Sequence, residues 1–209
     1  AAGVDWGYAP DPGVITVLGM DTSNRAYVVE VTQRLKMTES WWAEEASRLH
    51  EKWDISYFYC DPSEPEHIRV FNDRLAGKGT PTLAVKADNS LKTGLEVVRD
   101  AFMLKDDGRA SLFLVEGFLS GECPLLKSKK KPTSVLQEIP SFVFPTEEDG
   151  KPRKDKPDPA CRDDGCDSLR YACMGVWGKD LSRRDAEPEF EPGTYGKILW
   201  NRKKYPGQS

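Results

Sequence analysis

The sequence lacks the features of several large protein classes. No apolar run reaches the roughly 20 residues that a membrane helix needs. The phosphate-binding pattern GxxxxGK[ST] is absent, so a P-loop nucleotide site is excluded within these 209 residues. Only two histidines and five cysteines are present, without CxxC spacing, which leaves a zinc site short of ligands. With no internal repeat either, one soluble globular domain is the class we expect.

The chain contains many basic residues, but acidic residues outnumber them. The chain carries 30 Lys and Arg against 34 Asp and Glu, a net charge of -4 and a pI of about 5.4. Any binding of nucleic acid must therefore use local basic patches. The odd number of cysteines favours reduced thiols and a reducing cytosol. Because the sequence begins with Ala1 rather than an initiator Met, and no signal-peptide pattern follows, we interpret the chain as a piece of a longer protein.

Apolar periodicity predicts an α/β domain with a mixed sheet. Three β-rich runs come first, and helices and strands then alternate. One predicted strand ends near residue 5, and five others lie at 14–20, 26–31, 55–60, 82–85 and 110–115. The predicted helices lie at 38–52, 66–75, 90–104 and 168–177. Residues 121–159 are predicted to be a basic β-hairpin or loop insertion, with a possible hairpin at 135–144. The domain is predicted to span 1–185, with a tail at 186–209.

Acidic residues stand at the ends of two predicted strands. Asp5 closes the first strand, and Asp61 follows the apolar run at 55–60. A third cluster, Asp163-Asp164-Gly165-Cys166-Asp167, opens the last predicted helix. Three segments that are far apart in sequence could thus meet in one carboxylate-rich site. Such a site suits Mg²⁺ and Mn²⁺, which prefer oxygen ligands. Each acid taken alone has an ordinary alternative, as a turn residue or a helix cap.

Three motifs resemble one protein family. They are Gly3-Val4-Asp5-Trp6-Gly7-Tyr8 with Asp11-Pro12, then Tyr59-Cys60-Asp61-Pro62-Ser63-Glu64-Pro65, and then the stretch from Asp163 to Ala172. Their order and spacing resemble the nuclease domain of a tailed-phage terminase large subunit, a member of the RNase H-like (retroviral integrase) superfamily. The resemblance implies an RNase H-like mixed sheet flanked by helices. It also implies that the chain is the nuclease half of a protein whose ATPase domain lies elsewhere.

The resemblance assigns site residues by position. It implies that Asp5 and Asp61 are catalytic metal ligands, with a third ligand at the start of the last helix. There Asp164 is the first choice and Asp163 the second, while Asp167 is a nearby ligand or supporting acid. Asp164 and Asp167 are three residues apart and share a helix face. The expected cofactors are Mg²⁺ or Mn²⁺, with two ions taking part in hydrolysis.

Basic residues suggest where DNA would lie. Lys86 and Lys92 could reach a phosphate from a strand end and the next helix, although Lys92 could equally be a solvated helix residue. A second group of basic residues could bind the DNA phosphate backbone without sequence specificity. The ordinary alternative is that these residues belong to a solvated loop without a binding role. This group comprises Lys127, Lys129, Lys130 and Lys131, followed by Lys151, Arg153, Lys154 and Lys156.

The expected function is metal-dependent cleavage of double-stranded viral DNA concatemers with little sequence specificity during genome packaging. A Holliday-junction resolvase or ribonuclease H shares this chemistry, and a silent DNA-clamping module of a packaging motor is the alternative from another class. By resemblance, the expected partners are the ATPase domain of the same chain, a portal protein and a small terminase subunit. We expect a monomer, no membrane contact and a location in the cytoplasm of the infected host.

Overall fold

The computed structural model describes residues 1–76, 83–121, 123–144, 157–158 and 161–184. By its contacts the chain divides into one unit at Ala1–Lys179 and another at Asp180–Ser209. Of the second unit, the described residues are those that end the last helix. The predicted boundary at 185 stays a prediction. Among the described residues, no helix combines the length and the apolar character needed to cross a membrane.

The predicted α/β fold with a mixed sheet is confirmed. The strands are β1 (Ala2–Asp5), β2 (Gly13–Met20), β3 (Ala26–Arg34), β4 (Tyr57–Cys60), β5 (Leu83–Lys86) and β6 (Leu112–Gly121). The helices are α1 (Glu39–Trp53), α2 (Pro65–Ala76), α3 (Leu91–Phe102), α4 (Pro124–Ser128), α5 (Val135–Glu138) and α6 (Asp164–Arg184), with a 3-10 helix at Ile139–Ser141.

The strand order in the sheet is β5-β4-β1-β2-β3-β6. Strands β1, β2 and β3 are antiparallel neighbours, while β4 is parallel to β1, β5 to β4, and β6 to β3. Because β1 lies between β2 and β4, both of its edges are paired. The predicted three-strand start is confirmed. The hairpin between β2 and β3 turns through Asp21, whose carboxylate accepts from the backbone N–H groups of Ser23 and Arg25.

Helices cover both faces of the sheet near β1. On one face, Val4 and Phe58 belong to a buried core with Trp42 of α1 and Phe71 of α2. Thr38 caps α1 by accepting a hydrogen bond from the backbone N–H of Trp41. Alternate residues of a strand point to opposite faces, so Gly3 and Asp5 face away from this core.

On the opposite face, α6 crosses β1 closely. The hydroxyl of Ser168 donates to the carbonyl oxygen of Gly3 at 2.9 Å and lies 3.0 Å from Oγ1 of Thr16. Gly3 and Thr16 are cross-strand partners in the β1–β2 register. The start of α6 is thereby held against the strand that carries Asp5.

The predicted hairpin at 135–144 is wrong. These residues form α5 and the 3-10 helix instead, and the carbonyl oxygen of Ser134 accepts from the N–H groups of Gln137 and Glu138. Pro140 has no N–H to give to a strand ladder, whereas a 3-10 helix tolerates it near its first residue. Val135 and Glu138 are buried, so this segment packs against the domain.

Candidate functional site

Asp5 and Asp61 lie at adjacent positions on neighbouring parallel strands. Val4 of β1 pairs with Cys60 of β4, and the two acids come next at the same edge of the sheet. The backbone N–H of Asp61 donates to the carbonyl oxygen of Val4 at 2.9 Å. The structure therefore brings these two residues together as the sequence predicts, while their role as metal ligands stays a prediction.

Asp61 is held by short-range hydrogen bonds. One carboxylate oxygen accepts from the backbone N–H of Ser63 at 3.0 Å and the other from its hydroxyl at 2.8 Å. The indole N–H of Trp6 donates to the Asp61 carbonyl oxygen at 2.9 Å. Within the described part of the chain, this turn orients the carboxylate without an arginine or lysine.

Burial and neighbouring acids raise the pKa of Asp5. Burial raises the pKa of Asp5 well above its usual range, and the negative charges of Asp167, Asp164, Asp61 and Asp163 raise it further, in that order of size. Repulsion of this kind requires carboxylates that lie close together in a poorly solvated place. The three segments selected from the sequence therefore lie near one another, while a shared metal site stays a prediction.

Asp164 is engaged by an arginine. Oδ2 of Asp164 lies 2.6 Å from Nη2 of Arg162, which is also 3.8 Å from Oδ1 of Asp11. Burial nevertheless raises the pKa of Asp164 to about 7, against the opposing effect of Arg162. The carbonyl oxygen of Asp163 accepts from the N–H of Asp167 at 2.7 Å and so begins the hydrogen bonding of α6.

Asp167 belongs to a second network, under the acids. Nε of Arg170 donates to Oδ1 of Asp167 at 3.0 Å, and the Arg170 side chain is only 3% exposed. Nη2 of Arg170 and the hydroxyl of Tyr171 both bond to Oδ1 of Asn89, at 3.4 and 3.0 Å. Burial raises the pKa of Asp167, and the charges of Asp163 and Asp61 also act in that direction. Arg170 opposes this rise, so Asp167 is an acid held by a buried arginine.

Glu138 is a site-supporting residue that the sequence did not reveal. It is fully buried, and its Oε2 accepts from the backbone N–H groups of Gly165 and Cys166 at 2.7 and 3.2 Å, while Oε1 accepts from Nε2 of Gln33 at 3.0 Å. Burial raises its pKa. Glu138 thus satisfies the free N–H groups at the start of α6. No local pattern marks a contact between residues 27 positions apart.

Replacing Glu138 with alanine is expected to lower the free energy of unfolding by about 2 kcal/mol, because the N–H groups of Gly165 and Cys166 would lose their acceptor inside the protein. Urea unfolding measures the change. Glu96→Ala is the matched control, since Glu96 is exposed on α3. Equal effects of the two substitutions would contradict the capping role.

The acids fit a divalent cation in chemistry and charge. Among the residues that the structure describes, no group of three His, Cys, Asp or Glu side chains is arranged to hold a metal ion. Mg²⁺ commonly uses one or two carboxylates and completes its shell with water and substrate phosphate. Asp5 and Asp61 supply such a pair, and a cation would relieve the repulsion that raises the pKa of Asp5.

The lysines predicted to contact DNA are exposed. Lys86 ends β5 in register with Cys60 of β4, so it lies at the same edge of the sheet as Asp61. Lys92 is in the first turn of α3. Lys127 lies in α4, and Lys129, Lys130 and Lys131 follow it directly. The basic residues at 151–156 lie outside the described residues. DNA contact by any of these lysines stays a prediction.

Comparisons with known proteins give similarity at the level of the fold. The chain is similar to a solved structure of the large terminase nuclease from thermophilic phage G20c with bound magnesium, at 17% identity, a TM-score of 0.49, and coverage of 83% of this chain and 79% of that chain. A structure of the same nuclease with bound cobalt is similar at 16% identity, with the same TM-score and coverage. No protein-family model matches the chain, and no curated protein matches it. Both of these structures are of a large terminase nuclease.

Proposed function

We propose that this chain is a divalent-metal-dependent endonuclease that hydrolyses double-stranded DNA with little sequence specificity. The observation that carries the proposal is the placement of Asp5 and Asp61 side by side, with the start of α6 packed against the strand that bears Asp5. When bound there, Mg²⁺ or Mn²⁺ supplies Lewis-acid stabilisation of the phosphate charge and acidifies a water molecule. No nucleophilic side chain is needed for this hydrolysis.

The chain's own residues would bind and orient the reacting groups. Asp5 and Asp61 would hold the cation, and Ser63 and Trp6 would keep Asp61 in place through their hydrogen bonds. Lys86 would attract the phosphate backbone to this edge of the sheet. Burial of Asp5 strengthens its electrostatic interaction with a bound cation, because water screens the two charges less.

For the third acid, we favour Asp167 over Asp164, which the sequence selected. Asp167 precedes Ser168, the residue bonded to Gly3 on the strand of Asp5. Each of the two acids is paired with an arginine, Asp164 with Arg162 and Asp167 with Arg170, but the charge of Asp167 raises the pKa of Asp5 more than that of Asp164 does. Arg170 would hold the Asp167 carboxylate in place through its hydrogen bond.

The proposed biological substrate is concatemeric viral DNA during genome packaging, in the cytoplasm of the infected host. The ATPase domain of the same protein, a portal protein and a small terminase subunit are the proposed partners. The motif resemblance supports these assignments.

Cleavage of supercoiled plasmid tests the proposal. We expect nicking and linearisation in Mg²⁺ or Mn²⁺ and none in EDTA. Asp167→Asn should slow cleavage by about 100-fold and Asp164→Asn by about 10-fold or less, because only the former removes a ligand. The reverse order would support the sequence-based choice of Asp164. Absence of cleavage with either metal would favour the DNA-clamping alternative.

A further inference from the structure

A cavity of about 440 Å³ opens beside the acids but on the opposite face of the sheet. We call it the Trp6 cavity. Its walls come from the residues that follow β1 and β4 and from the beginnings of α1 and α2. The lining residues important here are Trp6, Tyr8, Glu39, Trp42, Glu64 and His67.

The aromatic walls of the Trp6 cavity are preorganised. The Trp6 ring is fixed by its hydrogen bond to the Asp61 carbonyl oxygen and by edge contacts with His67 and Phe71, each with ring centroids 5.0 Å apart. Tyr8 is 60% exposed, so its ring is accessible to a ligand. Faces of Trp and Tyr attract cations through the negative potential of their π systems.

The charge of the cavity is negative. Glu39 and Glu64 line it, and no lysine or arginine among the described residues does. The beginnings of α1 and α2 each add roughly half a positive charge, so two carboxylates and two helix termini leave about one negative charge. Nε2 of His67 is 3.7 Å from Oε2 of Glu39, and Nδ1 of His67 is buried without a hydrogen-bond partner. These walls repel phosphate and favour a cationic occupant.

We propose that the Trp6 cavity binds the guanidinium group of an arginine side chain from a protein partner. A guanidinium is planar, stacks on aromatic rings and can donate to two carboxylates at once, whereas an ammonium is compact and strongly hydrated. The cavity is larger than one side-chain head group requires, so flanking atoms of a peptide can enter with it. DNA is disfavoured as the occupant because its phosphates would meet Glu39 and Glu64.

The position of the cavity links this interaction to the acids. Trp6 directly follows Asp5 and is hydrogen-bonded to Asp61. A partner arginine stacked on Trp6 would restrain the residues that follow Asp5 and, through the Trp6 hydrogen bond, the turn at Asp61. This inference does not depend on the proposed nuclease activity, because binding can be measured without DNA and without metal.

The test is a titration of N-acetyl-L-arginine amide into ¹⁵N-labelled protein in EDTA at pH 8, followed through the indole N–H signal of Trp6. The Trp6→Phe variant assigns that signal. We expect saturable shifts with a dissociation constant on the order of millimolar, as a ligand of this size allows. N-acetyl-L-lysine amide should bind at least several-fold more weakly.

Paired variants decide whether the Trp6 cavity is the site. Glu39→Gln and Glu64→Gln should each weaken binding of the arginine amide by about 5-fold or more, because each removes a carboxylate from the cavity wall. Glu66→Gln is the matched control, since Glu66 lies in α2, pairs with Arg69 and does not line the cavity. Equal weakening by all three variants would overturn the proposal, and so would tighter binding of inorganic phosphate or deoxycytidine monophosphate at the same signal.

Discussion

Replacing Asp5 with asparagine is expected to slow metal-dependent plasmid cleavage by about 1000-fold. The substitution removes the carboxylate that we propose holds the cation. Asparagine keeps the size and leaves a carbonyl oxygen, so the loss reports on charge. Asp73→Asn is the matched control, because Asp73 is exposed on α2. Cleavage by Asp5→Asn at the rate of the control would rule out this site as the catalyst.

The same substitution is expected to make the metal-free protein more stable at pH 8, by a few degrees in melting temperature. The folded-state pKa of Asp5 is raised above the unfolded value of 3.8, so the protonated side chain contributes stability that is fully present below pH 3.8. That stability is lost as pH rises through the folded pKa. Asparagine does not ionise and does not suffer this loss.

Thermal unfolding from pH 4 to pH 8 in EDTA checks this expectation. The advantage of Asp5→Asn over the wild type should shrink toward pH 4, where unfolded and folded Asp5 are both increasingly protonated. Excess Mg²⁺ or Mn²⁺ should raise the melting temperature of the wild type and not that of the variant. If Asp5 were only a structural cap, the substitution would lower the melting temperature at every pH.

Replacing Gly3 with alanine is expected to lower the free energy of unfolding by about 3 kcal/mol or more, because α6 leaves no room for a methyl group. A Cβ atom at Gly3 would overlap the carbonyl oxygen of Ser168 and lie 2.7 Å from the backbone nitrogen of Ala172. Both atoms belong to the helix backbone and cannot turn aside. The helix would have to move, and its acids would move with it.

Urea unfolding of Gly3→Ala should be compared with that of Gly19→Ala. Gly19 lies in β2 of the same sheet, and a Cβ there would meet Cγ1 of Val29 at 3.2 Å, which is a side-chain atom that can adjust. The control should change the free energy of unfolding by less than about 1 kcal/mol. Similar losses for the two variants would show that helix contact is not the cause.

Local pattern was enough to locate the strands and the first two acids. Alternation and β-branched runs predicted β1 to β4, and Asp5 and Asp61 could be placed at strand ends because each stands at the end of such a run. The parallel pairing of β1 with β4, which brings the two acids together, was decided by the tertiary structure. The helical spacing at 168–177 likewise predicted α6. Its observed start at Asp164 is four residues earlier than the sequence predicted, because the buried Glu138 supplies an acceptor for its first N–H groups.

The sequence by itself determined the mixed sheet, the strand ends that carry Asp5 and Asp61, and the acidic start of the last helix. These depend on periodicities of 2 and 3.6 residues, which are local properties of the chain. Tertiary structure decided the roles of Glu138 and Asn89 and the formation of the Trp6 cavity. Each of these results from contacts between residues far apart in the chain, and local patterns carry no signal for such pairings.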